Sequence, residues 1–118
     1  MTHRVCIAGA SGRMGRMLIE AVRASDDCSV SGALDLPTSP ALGQDAAAYL
    51  GQTTGALITG DVAQGLSASQ YLIDFTRPEG TLNHLRECAR LGVKVVIGTT
   101  GFSDAQKAEI AEYAKQTA

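Results

Sequence analysis

Three glycines spaced three residues apart, in Val5-Cys-Ile-Ala-Gly9-Ala10-Ser11-Gly12-Arg13-Met14-Gly15, constrain this chain more than any other stretch. An apolar run enters a glycine-spaced turn, and a segment able to form a helix follows. A junction of this kind turns backbone N–H groups and the positive end of a helix toward a pyrophosphate. Gly9 would make the tight turn, Gly12 would admit the pyrophosphate close to the main chain, and Gly15 would let helix and strand pack tightly. The spacing is G-x-x-G-x-x-G, where the common fingerprint is G-x-G-x-x-G. Position 11 is therefore a serine, with a hydroxyl able to donate to a phosphate. Taken alone, the glycines also admit a second reading, as a mobile surface turn.

The residues that follow narrow the choice. Periodicity predicts strands at Arg4–Ala8 and Ser29–Leu34 with a helix between them at Arg13–Ala24, and then comes Asp35. This acid lies 20 residues beyond Gly15, counting 35 − 15. A nucleotide-binding unit places there the carboxylate that accepts hydrogen bonds from the adenosine ribose hydroxyls. The alternative is an ordinary turn residue in Asp35-Leu-Pro-Thr-Ser-Pro.

At 118 residues the chain has room for one domain. Its hydrophobic content of 45% supports a core, which Val, Ile, Leu, Ala and Met must fill because Trp is absent. Ten basic and 12 acidic residues are mixed along the chain, a net charge of −2, so no charge field points to nucleic acid or an anionic membrane. No apolar run approaches the roughly 18 residues of a membrane span. Met1-Thr-His-Arg-Val-Cys-Ile enters the first strand almost at once, leaving no space for a signal peptide, and the expected location is cytoplasmic. Cys6, Cys28 and Cys88 are unpaired in number and widely spaced, as expected of buried thiols in a reducing compartment. His3 and His84 are isolated, and no cluster at ligand spacing predicts a metal site.

Strand and helix continue to alternate. A short helix over residues 44–50, a strand at Gly55–Thr59 and a short helix near Asp61–Gly65 precede a buried strand, Tyr71–Phe75. Thr76 to Glu79 fits a capping box, with Pro78 harmless in the first turn of a helix whose apolar face is Leu82, Leu85, Cys88 or Ala89, and Leu91. Gly92 supplies its left-handed cap, Val93–Ile97 is a parallel strand, and Ser103-Asp-Ala-Gln106 caps a last helix to about Tyr113. The alternation implies an α/β fold, a Rossmann-like doubly wound parallel sheet in three layers. Ligands lie beyond the carboxyl ends of such strands. Three loops meet there: Gly9–Gly15, Phe75-Thr76-Arg77-Pro78 and Gly98-Thr99-Thr100-Gly101-Phe102. The last is open to a second reading as a plain turn with a helix cap. Arg77 either pairs with a phosphate or substrate carboxylate, or is solvated.

Together, Gly9–Gly15, Asp74-Phe-Thr-Arg-Pro-Glu-Gly-Thr81 and Val96-Ile-Gly-Thr-Thr-Gly-Phe102 closely resemble the cofactor domain of the 4-hydroxy-tetrahydrodipicolinate (dihydrodipicolinate) reductase family, over essentially the whole chain. The resemblance implies an oxidoreductase that reduces a cyclic dicarboxylate with NADH or NADPH in diaminopimelate and lysine biosynthesis. It implies cofactor contacts at Gly9, Ala10, Ser11, Gly12, Arg13, Met14, Asp35, Phe75, Thr76, Gly98, Thr99 and Thr100. Many family members carry Arg after the ribose acid, where it meets the 2′-phosphate of NADPH; Leu36 stands there in this chain, which puts NADPH use in doubt. Family chains are about twice as long. Their second domain carries the substrate-binding basic residues, the proton donor and the homotetramer contacts, and their C-terminal segment returns to complete the first domain. The expectation is thus a cofactor-binding part, an incomplete sheet, no catalytic residue within these 118 residues and no turnover by them alone. The competing readings are a non-catalytic nucleotide-binding or regulatory module, and part of another two-domain dehydrogenase.

Overall fold

The computed structural model describes residues 3–99 and 101–117. Five parallel strands, β1 (His3–Ala8), β2 (Cys28–Leu34), β3 (Ile58–Thr59), β4 (Tyr71–Asp74) and β5 (Lys94–Ile97), form one sheet in the order β3-β2-β1-β4-β5. Helices α1 (Arg13–Ala24), α2 (Val62–Leu66), α3 (Pro78–Leu91) and α4 (Asp104–Thr117) connect or follow them. The Rossmann-like, doubly wound parallel α/β fold is therefore present. β1 lies at the centre of the sheet. The order doubles back across it, placing the loops after β1, β2 and β4 side by side at one end.

Alternation along β1 divides the core. Val5 and Ile7 face α1, where they pack with Ile19, Val22 and Val30, while Cys6 and Ala8 face the opposite layer with Leu66, Leu72 and Cys88. A register shift in β2 skips Ser31, so that Cys6 pairs with Gly32 after Val5 has paired with Val30. The shift turns Gly32 toward α2, where a Cβ would lie 2.0 Å from the Gly65 carbonyl oxygen. Only a glycine lets the short helix sit this close to the strand. Cys6 and Cys88 are fully buried free thiols. Burial first, with the nearby Asp74 charge adding to it, pushes the Cys88 thiol up to about 12.

The main differences from the sequence expectations have local causes. The predicted strand at Gly55–Thr59 shortens to Ile58–Thr59, because Asp45 draws the N–H groups of Thr54 and Gly55 onto its carboxylate at 2.9 and 2.8 Å. The helix expected over residues 44–50 reduces to a 3₁₀ turn, Ala48–Leu50. The capping box at Thr76 does not form. The helix instead opens at Pro78 with Arg77 as its N-cap and no side-chain cap, because the buried Asp74 carboxylate claims both the N–H and the hydroxyl of Thr76. Leu91, expected on the buried face of α3, is 40% exposed, and Thr81 is buried in the stripe that Leu82, Leu85 and Cys88 complete. Gly92 does close α3 in the left-handed region, at φ 74°. Ser103 and Gln106 exchange hydrogen bonds at the start of α4, the expected reciprocal cap.

Candidate functional site

A cavity of about 550 Å³ opens where the loops after β1, β2 and β4 converge. Its walls come from Gly9 and Gly12 to Gly15 on one side, Asp35, Leu36 and Pro37 on a second, and Phe75 to Arg77, Glu79, Gly80 and His84 on a third. Strand and helix geometry place these groups. β1 ends at Ala8, and Gly9 at φ 73° turns the chain sharply into α1. Gly15 must be glycine, since a Cβ there would lie 2.0 Å from the Gly9 carbonyl oxygen. Gly12 is different: a Cβ would meet only that same oxygen, at an ordinary 3.4 Å. Nothing inside the protein requires a glycine at 12, yet the residue lines the cavity. Such a position suits a group that must approach the main chain closely.

The turn commits some of its N–H groups and leaves others. Ala10 donates to the Leu34 carbonyl, Ser11 to Asp35 and Gly12 to the Gly9 carbonyl. Among the described residues, Arg13, Met14 and Gly15 receive no acceptor from the preceding loop. These N–H groups start α1, where the helix dipole favours an anion. A pyrophosphate held there would meet Arg13 and Met14 at the cavity wall.

Asp35 follows β2 directly and sits on the cavity rim. Its Oδ2 accepts from the Ser11 N–H at 2.9 Å and from the Ser11 hydroxyl, while Oδ1 accepts from the Leu36 N–H at 2.8 Å. The Ser11 hydroxyl, expected to reach a phosphate, is thus turned onto this carboxylate instead. Leu36 is 69% exposed and also lines the cavity, so an apolar surface adjoins the acid.

On the opposite wall, sequence reasoning missed a pair. Asp74, the last residue of β4, is fully buried, and its carboxylate accepts from the Thr76 N–H at 2.9 Å and the Thr76 hydroxyl at 2.6 Å. His84 Nδ1 lies 2.7 Å from its Oδ2, and the imidazole lines the cavity. Burial pushes the Asp74 carboxyl up, but the bonds from His84 and Thr76 outweigh it and hold the group below the usual carboxylate range. The signal was available: an acid in the apolar run Tyr71-Leu-Ile-Asp74 must find donors once buried. Their identity was set by the packing of α3 against the strand end.

Of the residues expected to contact a cofactor, Gly9, Gly12, Arg13, Met14, Asp35, Phe75 and Thr76 line one cavity. Ala10 is buried behind the turn, and Ser11 supports Asp35. Gly98 and Thr99 are not on the cavity wall. A Cβ at Gly98 would lie 1.9 Å from Cε1 of Phe75, so the close approach this glycine allows is to the Phe75 ring. The Thr99 hydroxyl accepts from Thr81 at 2.8 Å and donates to the Asp74 carbonyl at 3.3 Å, tying the end of β5 to α3 and β4. Thr100 lies outside the described residues. Arg77, left open between two roles, lines the cavity. Among the described residues no group of three or more His, Cys, Asp or Glu could hold a metal ion, and no helix is long and apolar enough to cross a membrane.

Comparison with known proteins places the chain in a family. A family model described as dihydrodipicolinate reductase, N-terminus, matches residues 3–118. The chain is 66% identical over 111 residues to a 4-hydroxy-tetrahydrodipicolinate reductase of Cupriavidus pinatubonensis, covering 94% of this chain and 42% of the relative. It is 59% identical over 115 residues to that of Herminiimonas arsenicoxydans, covering 98% and 43%. Among solved structures, a dipicolinate-bound dihydrodipicolinate reductase from Paenisporosarcina sp. TG-14 superposes with a TM-score of 0.75 at 24% identity, over 97% of this chain and 43% of that one. An NAD-binding protein from Listeria innocua superposes at 0.72 with 20% identity, over 98% and 32%. The two structural likenesses concern the fold. The chain spans less than half the length of each of these relatives.

Proposed function

Since the chain belongs to the dihydrodipicolinate reductase family, matching its N-terminal domain, we propose that it holds a nicotinamide dinucleotide, NADH in preference to NADPH, for a reductase acting on a cyclic dicarboxylate in diaminopimelate and lysine biosynthesis. The observation that carries this reading is the position of Asp35. It faces the same cavity as the N–H groups of Arg13 and Met14, the two sets of contacts that a dinucleotide's ribose and pyrophosphate require. Leu36 beside it supplies no charge for a 2′-phosphate, which favours NADH. Arg13 and Arg77 also line the cavity, so NADP(H) remains a weaker ligand.

The cofactor supplies hydride when bound. The contribution of these residues is to hold and orient it: the Gly9–Gly15 turn and α1 at the pyrophosphate, Asp35 at the ribose, and Phe75 and Thr76 along the opposite wall. Gly98, Thr99 and Thr100 are proposed to lie toward the nicotinamide end. No catalytic residue is proposed within these 118 residues, and His84, whose Nδ1 lies 2.7 Å from the Asp74 carboxylate, is assigned to supporting the loop after β4. The proton donor, substrate contacts and homotetramer interface are proposed to belong to the family's second domain. Catalysis needs donor, acceptor and acid held together. The 118 residues alone are therefore expected to bind nucleotide without turning over substrate.

The test combines an NADH titration, followed by cofactor fluorescence, with an absorbance assay on freshly generated substrate. Saturable binding without protein-dependent oxidation supports the reading, with a full-length relative as positive control. Sustained oxidation well above the blank would overturn the assignment of catalysis to another domain, and absence of binding would overturn the cofactor role.

A further inference from the structure

Asp35 is held on one side by a residue that the cavity never touches. Ser11 gives it two donors, the main-chain N–H at 2.9 Å and the side-chain hydroxyl, and both converge on Oδ2. Leu36 N–H takes Oδ1 at 2.8 Å. Both carboxylate oxygens are thereby held by hydrogen bonds. Ser11 comes from the turn that would hold the pyrophosphate, so the acid and the turn are hydrogen-bonded to each other across 24 residues of sequence.

We propose that Ser11 is a positioning residue that makes the site selective for a free ribose 2′-hydroxyl. The inference rests on the nucleotide-binding reading above. A carboxylate has about four acceptor sites, and the three donors already present leave capacity directed at the cavity for a ribose hydroxyl. Held this way, the charge cannot swing aside when a 2′-phosphate arrives, and like charges at close range repel. A serine at 11 therefore adds rejection of the phosphorylated ribose to the welcome of the unphosphorylated one. Removing the hydroxyl leaves only the two main-chain donors. Asp35 then gains rotational freedom, binds the ribose less well and yields more readily to a 2′-phosphate.

The experiment compares NADH and NADPH affinities, by fluorescence titration, for the purified protein and its Ser11→Ala and Ser11→Thr variants, with thermal melting as a folding check. Ser11→Ala is expected to weaken NADH about fivefold while leaving NADPH unchanged or tighter, a shift in preference of at least about fivefold. Ser11→Thr, which keeps the hydroxyl, is expected to restore the original ratio. An unchanged ratio in Ser11→Ala, or an equal loss of both affinities, would overturn the positioning role. So would a ratio that Ser11→Thr fails to restore while its melting temperature matches the parent. If the unmodified protein bound neither nucleotide, the nucleotide reading itself would fall, and this inference with it.

Discussion

Asp35 and Asp74 occupy matching places, at the carboxyl ends of the two strands that flank β1, yet the fold uses them in opposite ways. Asp74 is sealed in the interior and spends its oxygens on Thr76 and His84, the first residues and second turn of its own strand-to-helix unit. Its carbonyl accepts from Gly98 N–H at 2.8 Å and from Thr99, so one residue fastens the loops after β4 and β5 together. Asp35 stays on a cavity rim and is steadied by a neighbouring loop. Position at the end of a strand thus does not fix an acid's role. What decides is whether a helix closes over it, as α3 does over Asp74, or a turn leaves it open, as Gly9–Gly15 leaves Asp35.

The largest contrast is expected in stability. Asp74→Ala strips a buried carboxylate from three donors and should cost about 3 kcal/mol or more, whereas Asp35→Ala should stay within about 1 kcal/mol. Urea unfolding of the two variants measures both, and equal losses would break the comparison. Gly98→Ala tests the region that Asp74 organises. Its Cβ would lie 1.9 Å from the Phe75 ring, which must swing out of the cavity wall, at a cost of about 1–2 kcal/mol in the same unfolding assay.

Asp35→Ala should reverse the ranking in binding. NADH affinity is expected to fall at least about tenfold, roughly 1.4 kcal/mol, with the melting temperature nearly unchanged. A smaller effect is expected from acid. Asp74 holds its proton more weakly folded than unfolded, so its stabilisation is complete above the unfolded value of about 3.9 and is lost as pH falls through the lower folded value. Asp45, whose bonds from Ala47, Thr54 and Gly55 outweigh the opposing effect of burial, adds to the same loss. The urea midpoint should be flat from about pH 7 to 5 and drop below about pH 4. The drop should be shallower in Asp74→Asn, and an unchanged slope would remove Asp74 from this account.

The parts of this site that were legible in the sequence are those governed by local rules. The turn at Gly9, the helix Arg13–Ala24, the acid at 35 and the cap at Gly92 each follow from periodicity or a positive φ within a few residues. The parts that were not depend on which of several possible partners the packed fold presents. Thr76 reads as a cap until a buried carboxylate two residues earlier takes its hydroxyl, and Ser11 reads as a phosphate donor until Asp35 arrives from the next strand. Gly98 reads from the sequence as a ligand contact alone, and the structure adds a packing reason for it, the ring of Phe75. In each case the residue type was informative and the partner was not, because tertiary packing chose among acceptors that the sequence left equivalent.

The central claim is that a dinucleotide lies between the Asp35 rim and the loop that Asp74 supports. Amide chemical shifts of the isotopically labelled protein, followed during titration with NADH, test it most directly. The account predicts saturable changes concentrated at Gly9–Gly15, Asp35, Leu36 and residues 76–80, with the amides around Asp45 unmoved. Changes centred on the Asp45 loop, or none at saturating NADH, would contradict it.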